Sequence, residues 1–129
     1  MDIRPGETYQ FLNREVNQLI TYEVIDSRLS KVKPLDQDIV SEEIEVIVSD
    51  FGLVISEKTT LSTKKGSVHW HIKKQNETGV LEITYWPKKA RLWIDIHSNR
   101  RKEWNLGVIE PMANRFSREF GGRVEKISK

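Results

Sequence analysis

Between Val68 and His97 the chain alternates apolar and polar residues three times over, and this limits its fold more than any other feature. Val68, Trp70 and Ile72 alternate with His69, His71 and Lys73. Leu81, Ile83 and Tyr85 alternate with Glu82, Thr84 and Trp86, and Leu92, Ile94 and Ile96 with Arg91, Trp93, Asp95 and His97. Successive side chains of a strand point to opposite faces, so a period of two gathers each apolar set on one side. The intervening KQNETG and PKKA are short and polar, which joins the three runs as an antiparallel meander. Leu53–Thr60 reads as a strand ahead of them, closed by the turn TLSTKKG.

The flanks read differently. Leu12, Val16, Leu19, Ile20 and Val24 fall at three- and four-residue steps, which predicts a helix over 7–28 begun at Pro5-Gly6. A polar connector follows, with Pro34 disfavouring helix at the residue before it. Residues 38–51 fit both periods, since Ile44, Val46 and Val48 also alternate; their length and the following Gly52 favour helix. Pro111 suits a helical first turn, and Met112, Phe116 and Phe120 would form the buried stripe of a helix stopped by Gly121-Gly122. Residues 123–127 can add an edge strand. The expected fold is α+β: a single antiparallel sheet of four strands, or five, packed against helices in the order α-α-β-β-β-β-α(-β).

At 129 residues the chain is expected to form one domain, 1–129, with an acidic helical part over 1–52 and a basic meander and C-terminal helix over 53–129. The charge is divided: residues 1–50 carry 5 Lys/Arg and 11 Asp/Glu, whereas 51–129 carry 16 and 8. Such asymmetry fits either mutual attraction within the fold or an anionic partner for the basic part. Cysteine is absent, which excludes disulfides, thiol catalysis and thiolate metal sites. No apolar run approaches the roughly 20 residues that span a bilayer, and the polar N-terminus lacks a signal-peptide core. No membrane association and a cytoplasmic location are the expectations.

All three histidines and all four tryptophans lie within residues 66–104. Alternation sends Trp70 into the core and gathers His69, His71, Glu82, Thr84, Trp86, Arg91, Trp93, Asp95 and His97 on the opposite face. The turn lengths set the register: His71 opposite Glu82, His69 opposite Thr84, Trp86 opposite Arg91, Thr84 opposite Trp93, and Glu82 opposite Asp95. Trp86 and Trp93 need no ligand to justify them, because aromatic cross-strand packing alone contributes roughly 0.2–1 kcal/mol. Yet Lys88, Lys89 and Arg91 lie at one end of this face and Arg100, Arg101 and Lys102 at the other. Rings that stack on bases beside cations that follow phosphates are how many sheets bind single strands.

The expected function is therefore a small non-enzymatic binding protein that contacts RNA or single-stranded DNA. Trp86 and Trp93 would stack; Lys88, Lys89, Arg91, Arg100, Arg101 and Lys102 would meet phosphates; His69, His71 and His97 would add polar contacts. One alternative is an interaction module, such as an inhibitor, immunity protein or adaptor. It would use the same Trp/Arg face against an acidic protein surface, or the acidic half against a basic one. A third is a metal-dependent or His/Glu acid–base nuclease, since His69 and His71 point the same way with Glu82 opposite. On this register His97 lies towards the far end, no accepted catalytic motif accompanies the HxH, and no metal, cofactor or catalytic residue is assigned. Gly66-Ser67-Val68-His69, following the Gly52 helix end and a strand, resembles the glycine-serine-histidine strand of HicA-type RNA-cleaving toxins. That resemblance spans about thirty residues and implies RNA.

Overall fold

The computed structural model describes residues 19–127. In chain order it contains β1 (Ile20–Ile25), α1 (Gln37–Asp50), β2 (Val54–Thr59), β3 (Val68–Lys73), β4 (Leu81–Trp86), β5 (Arg91–Ile96), α2 (Glu103–Phe120) and β6 (Arg123–Ile127), with short 3-10 turns between. All pairs are antiparallel, and the six strands lie in the order β2-β3-β4-β5-β1-β6. The α+β class with one antiparallel sheet is as expected, but the sheet is wider than the four or five strands predicted.

The extra strand is β1, which corrects the helix expected over 7–28. Ile20 and Val24 satisfy a helical stripe, but with Tyr22 they also form one strand face, and β1 pairs with β5 on one side and β6 on the other. Two hydrogen-bonded neighbours outweigh a weak local preference. The rest of that expectation, with Leu12 and Val16, lies outside the described residues. Gly122 lets β6 return beside β1: its φ is +84°, and a Cβ there would stand 2.1 Å from the carbonyl oxygen of Ile25.

The second correction concerns α2, which begins at Glu103, two turns before Pro111. Asn105 in its first turn fixes that start, its side chain accepting a hydrogen bond from the Lys102 backbone N–H at 2.9 Å and donating to the carbonyls of Val80 and Arg100. Pro111 is tolerated inside the helix because it and Gly107, whose carbonyl loses a partner, are both exposed to water. Residues 38–51 are helical as expected, within α1.

The meander behaves as its alternation requires. Trp70, Ile72, Leu81, Ile83, Leu92, Ile94 and Ile96 are wholly buried against Ile44 and Ile47 of α1 and Met112 and Phe116 of α2, in one continuous core. The indole N–H of Trp70 donates to Glu45 of α1 at 2.9 Å, and Lys58 of β2 closes on the same carboxylate at 2.7 Å. Both helices among the described residues therefore lie against the apolar face. Among the described residues the polar face is organised by its own side chains.

Candidate functional site

Rows of side chains cross the polar face at right angles to the strands. One row runs Thr59, His69, Thr84, Trp93, Glu23 and Glu125; the next runs Glu57, His71, Glu82, Asp95, Thr21 and Ile127. The predicted pairs His71–Glu82, His69–Thr84, Trp86–Arg91, Thr84–Trp93 and Glu82–Asp95 are those observed. A bulge between Ile55 and Glu57 aims Glu57 at His71.

Several of these polar groups are buried, and each answers another. Thr84 is 1 % exposed and its hydroxyl lies 2.8 Å from Nδ1 of His69. Trp93 is 8 % exposed: its indole N–H donates to Asp95 at 3.0 Å, and the Arg91 guanidinium covers its ring at 4.5 Å. Arg91 in turn grips Glu23 through two hydrogen bonds of 2.7 and 2.9 Å, and the Thr21 hydroxyl donates to Asp95 at 2.5 Å. Burial pushes the Asp95 carboxyl above its ordinary range, and the donors Thr21 and Trp93 reduce that rise without cancelling it. Beside this network lies a depression of about 340 Å³, lined by Thr21, Glu23, Lys64, Arg91, Trp93 and Asp95 among others.

Two proposed contact residues are therefore already engaged by the protein's own side chains, Trp93 buried and Arg91 exposed but paired with Glu23. Trp93 is no free stacking surface, and Arg91 is not a free phosphate contact. Trp86 is half-buried, donating its indole N–H to the Lys65 carbonyl at 3.1 Å with Lys64 5.9 Å from its ring centre. Lys88, Lys89, Arg100 and Lys102 are exposed, and Arg101 is partly so.

The other cluster gathers the histidines around one carboxylate. Glu82 Oε1 lies 2.9 Å from Nε2 of His69 and 3.6 Å from Nε2 of His71, and its Oε2 lies 3.1 Å from Nε2 of His97. His97, expected towards the far end, reaches back diagonally from beyond β5. Burial raises the Glu82 carboxyl, but the His69 hydrogen bond and the charges of His97, His71 and His69 outweigh it and hold it below the ordinary range. The ring of His69 packs edge-on to that of His71, with centres 5.2 Å apart.

Sequence reasoning placed Glu82 on this face but not at its centre. It missed Thr21 and Glu23 altogether, because both stand on the strand read as helix. The signal that could have found them is the alternation of Thr21, Glu23 and Ile25 with Ile20, Tyr22 and Val24.

Among the described residues no helix is long and apolar enough to cross a membrane. Comparison with models of known families finds no match, and comparison with curated proteins finds none. The short likeness over Gly66–His69 thus carries no assignment.

Proposed function

We propose that the protein is a small binding protein whose polar sheet face takes a strand of RNA or single-stranded DNA, with phosphates held at its two ends. The observation that carries this reading is the pair of exposed cationic rims. Lys65, Lys88 and Lys89 stand at one end of β4, and Lys74, Arg100 and Lys102 at the other. Among the described residues none of these six makes an ion pair across the face. A six-residue strand separates the rims by about 20 Å at ~3.3 Å per residue.

Between the rims the carboxylates are largely answered from within. Glu23 is held by Arg91, Glu82 is ringed by imidazoles, and Asp95 accepts from Thr21 and Trp93. The outward field is then set by the rims, which is what draws in a polyanion. Trp86, the half-exposed indole at the Lys65 end, is the ring placed to stack on a base, worth ~1–3 kcal/mol.

The test is the affinity for a fluorescent oligonucleotide, read by anisotropy across a salt series. Affinity should fall steeply with salt, and Lys88→Glu/Lys89→Glu and Arg100→Glu/Lys102→Glu should each weaken it at least tenfold. Salt-independent binding, or full binding by both charge-reversed variants, would overturn the proposal. So would an undetectable affinity at low salt, which would leave the rims to an acidic protein surface.

A further inference from the structure

We infer that His69, His71 and Glu82 form a binding site for one divalent transition-metal ion of the zinc class, with a water or, after a side-chain shift, His97 completing the coordination. Metal uptake goes beyond nucleic-acid binding and does not depend on it.

The spacing is the first support. One donor atom from each of His69, His71 and Glu82 lies within 4.8 Å of the other two. A tetrahedral ion with bonds of about 2.0–2.2 Å sets its ligands roughly 3.4 Å apart. The contacts of Glu82 Oε1 with Nε2 of His69 and Nε2 of His71, at 2.9 and 3.6 Å, bracket that value, and His97 approaches the other carboxylate oxygen at 3.1 Å. Small side-chain shifts would open the centre, and the backbone need not move. The two β3 histidines are held two residues apart on one side of a strand, with Glu82 directly across from His71.

The hydrogen bonding is the second. Metal on Nε2 requires the ring proton on Nδ1, where an acceptor must wait for it. His69 has one, because the buried Thr84 hydroxyl lies 2.8 Å from its Nδ1 and can accept as well as donate. The Glu57 carboxylate stands 3.9 Å from Nδ1 of His71. Among the described residues the His71 ring makes no hydrogen bond, although it is only half-exposed and its Nε2 faces Glu82. A network built only to satisfy Glu82 would not need that third imidazole.

The donor set is the third. Nitrogen donors outnumber oxygen, which favours zinc, cobalt, nickel or copper over magnesium or calcium. The single central carboxylate leaves a bound dication with positive charge, and His97 is exposed enough to give up its place to a water or an anion.

The metal-free protein, stripped with a chelator, should be titrated with Zn²⁺ by calorimetry and with Co²⁺ by visible absorption. One equivalent should bind, and cobalt should show the intense visible bands of a four-coordinate site. His71→Ala and Glu82→Gln should each lower affinity at least tenfold, and Thr84→Val about 10–100-fold through loss of the outer partner. No stoichiometric uptake, or undiminished uptake by His71→Ala and Glu82→Gln, would overturn the site. A variant that fails to fold is bypassed by nitrogen-15 spectra of the wild-type imidazoles. Zinc must shift Nε2 of His69 and His71 and leave their Nδ1 protonated, and unchanged rings would overturn the inference equally.

Discussion

Two tryptophans, Trp70 and Trp93, donate an indole N–H to a carboxylate from opposite faces of the same sheet, yet their acceptors are driven in opposite directions. Trp70 reaches Glu45 on the helical side, where burial raises the carboxyl but Lys58 and the indole N–H outweigh it and hold it low. Trp93 reaches Asp95 on the polar side, where burial wins and, among the described residues, no lysine or arginine bonds to the carboxylate, so it is held high. The apolar face is closed by volume, with helices filling the space above the strands. The polar face is closed by pairing, each buried group depending on one or two named neighbours. Loss of a partner there matters more than loss of shape.

The largest effect that could break this contrast is ring removal. Trp70→Ala should cost about 3–5 kcal/mol in urea unfolding, because the helices cannot collapse onto the void. Trp93→Ala should cost clearly less, since water from the adjoining depression can reach Asp95. An equal or larger loss at Trp93 would mean that both faces are closed by packing. Next in size is Arg91→Met, expected to cost about 1–2 kcal/mol because buried Glu23 keeps its charge without its partner. A double-mutant cycle with Glu23→Gln should recover most of that loss.

The smallest effect sharpens the contrast through pH. Glu45 is lowered in the folded state, so its contribution is present above the unfolded carboxylate value of about 4.3 and lost as pH falls through the folded value. Asp95 is raised, so its contribution is present below its unfolded value of about 3.9 and lost as pH rises through the folded one. The stability gap between wild type and Glu45→Gln should therefore shrink on acidification. The gap between wild type and Asp95→Asn should shrink as pH rises. Gaps that move in the same direction would remove the distinction between the two contacts.

How much of this could be read in advance follows from where local pattern and tertiary pairing agree. The meander was legible to the level of register because the alternation from Val68 to His97 is unbroken and its turns are short. β1 was not, because Ile20 and Val24 fit a helix and a strand equally and only pairing with β5 and β6 decides. The early start of α2 was hidden by Gly107 and Pro111, two helix breakers on an exposed side. Membership of the polar face was legible, but burial was not. Trp93 is enclosed by contacts with Asp95 and Arg91, and Thr21 and Glu23, which anchor those two, come from the misread strand. Alternation set Glu82 opposite His71, whereas the diagonal approaches of His69 and His97 depend on side-chain torsions that no periodicity encodes.

The proposed metal site rests on the convergence of three imidazoles on Glu82, which can be measured without any ligand. Nitrogen-15 spectra of the histidine rings should be recorded for metal-free wild type and Glu82→Gln at neutral pH. All three rings should shift together on that single change, with His69 retaining its Thr84 hydrogen bond. A shift confined to His71, the ring directly across the strand pair, would contradict the convergence and with it the site.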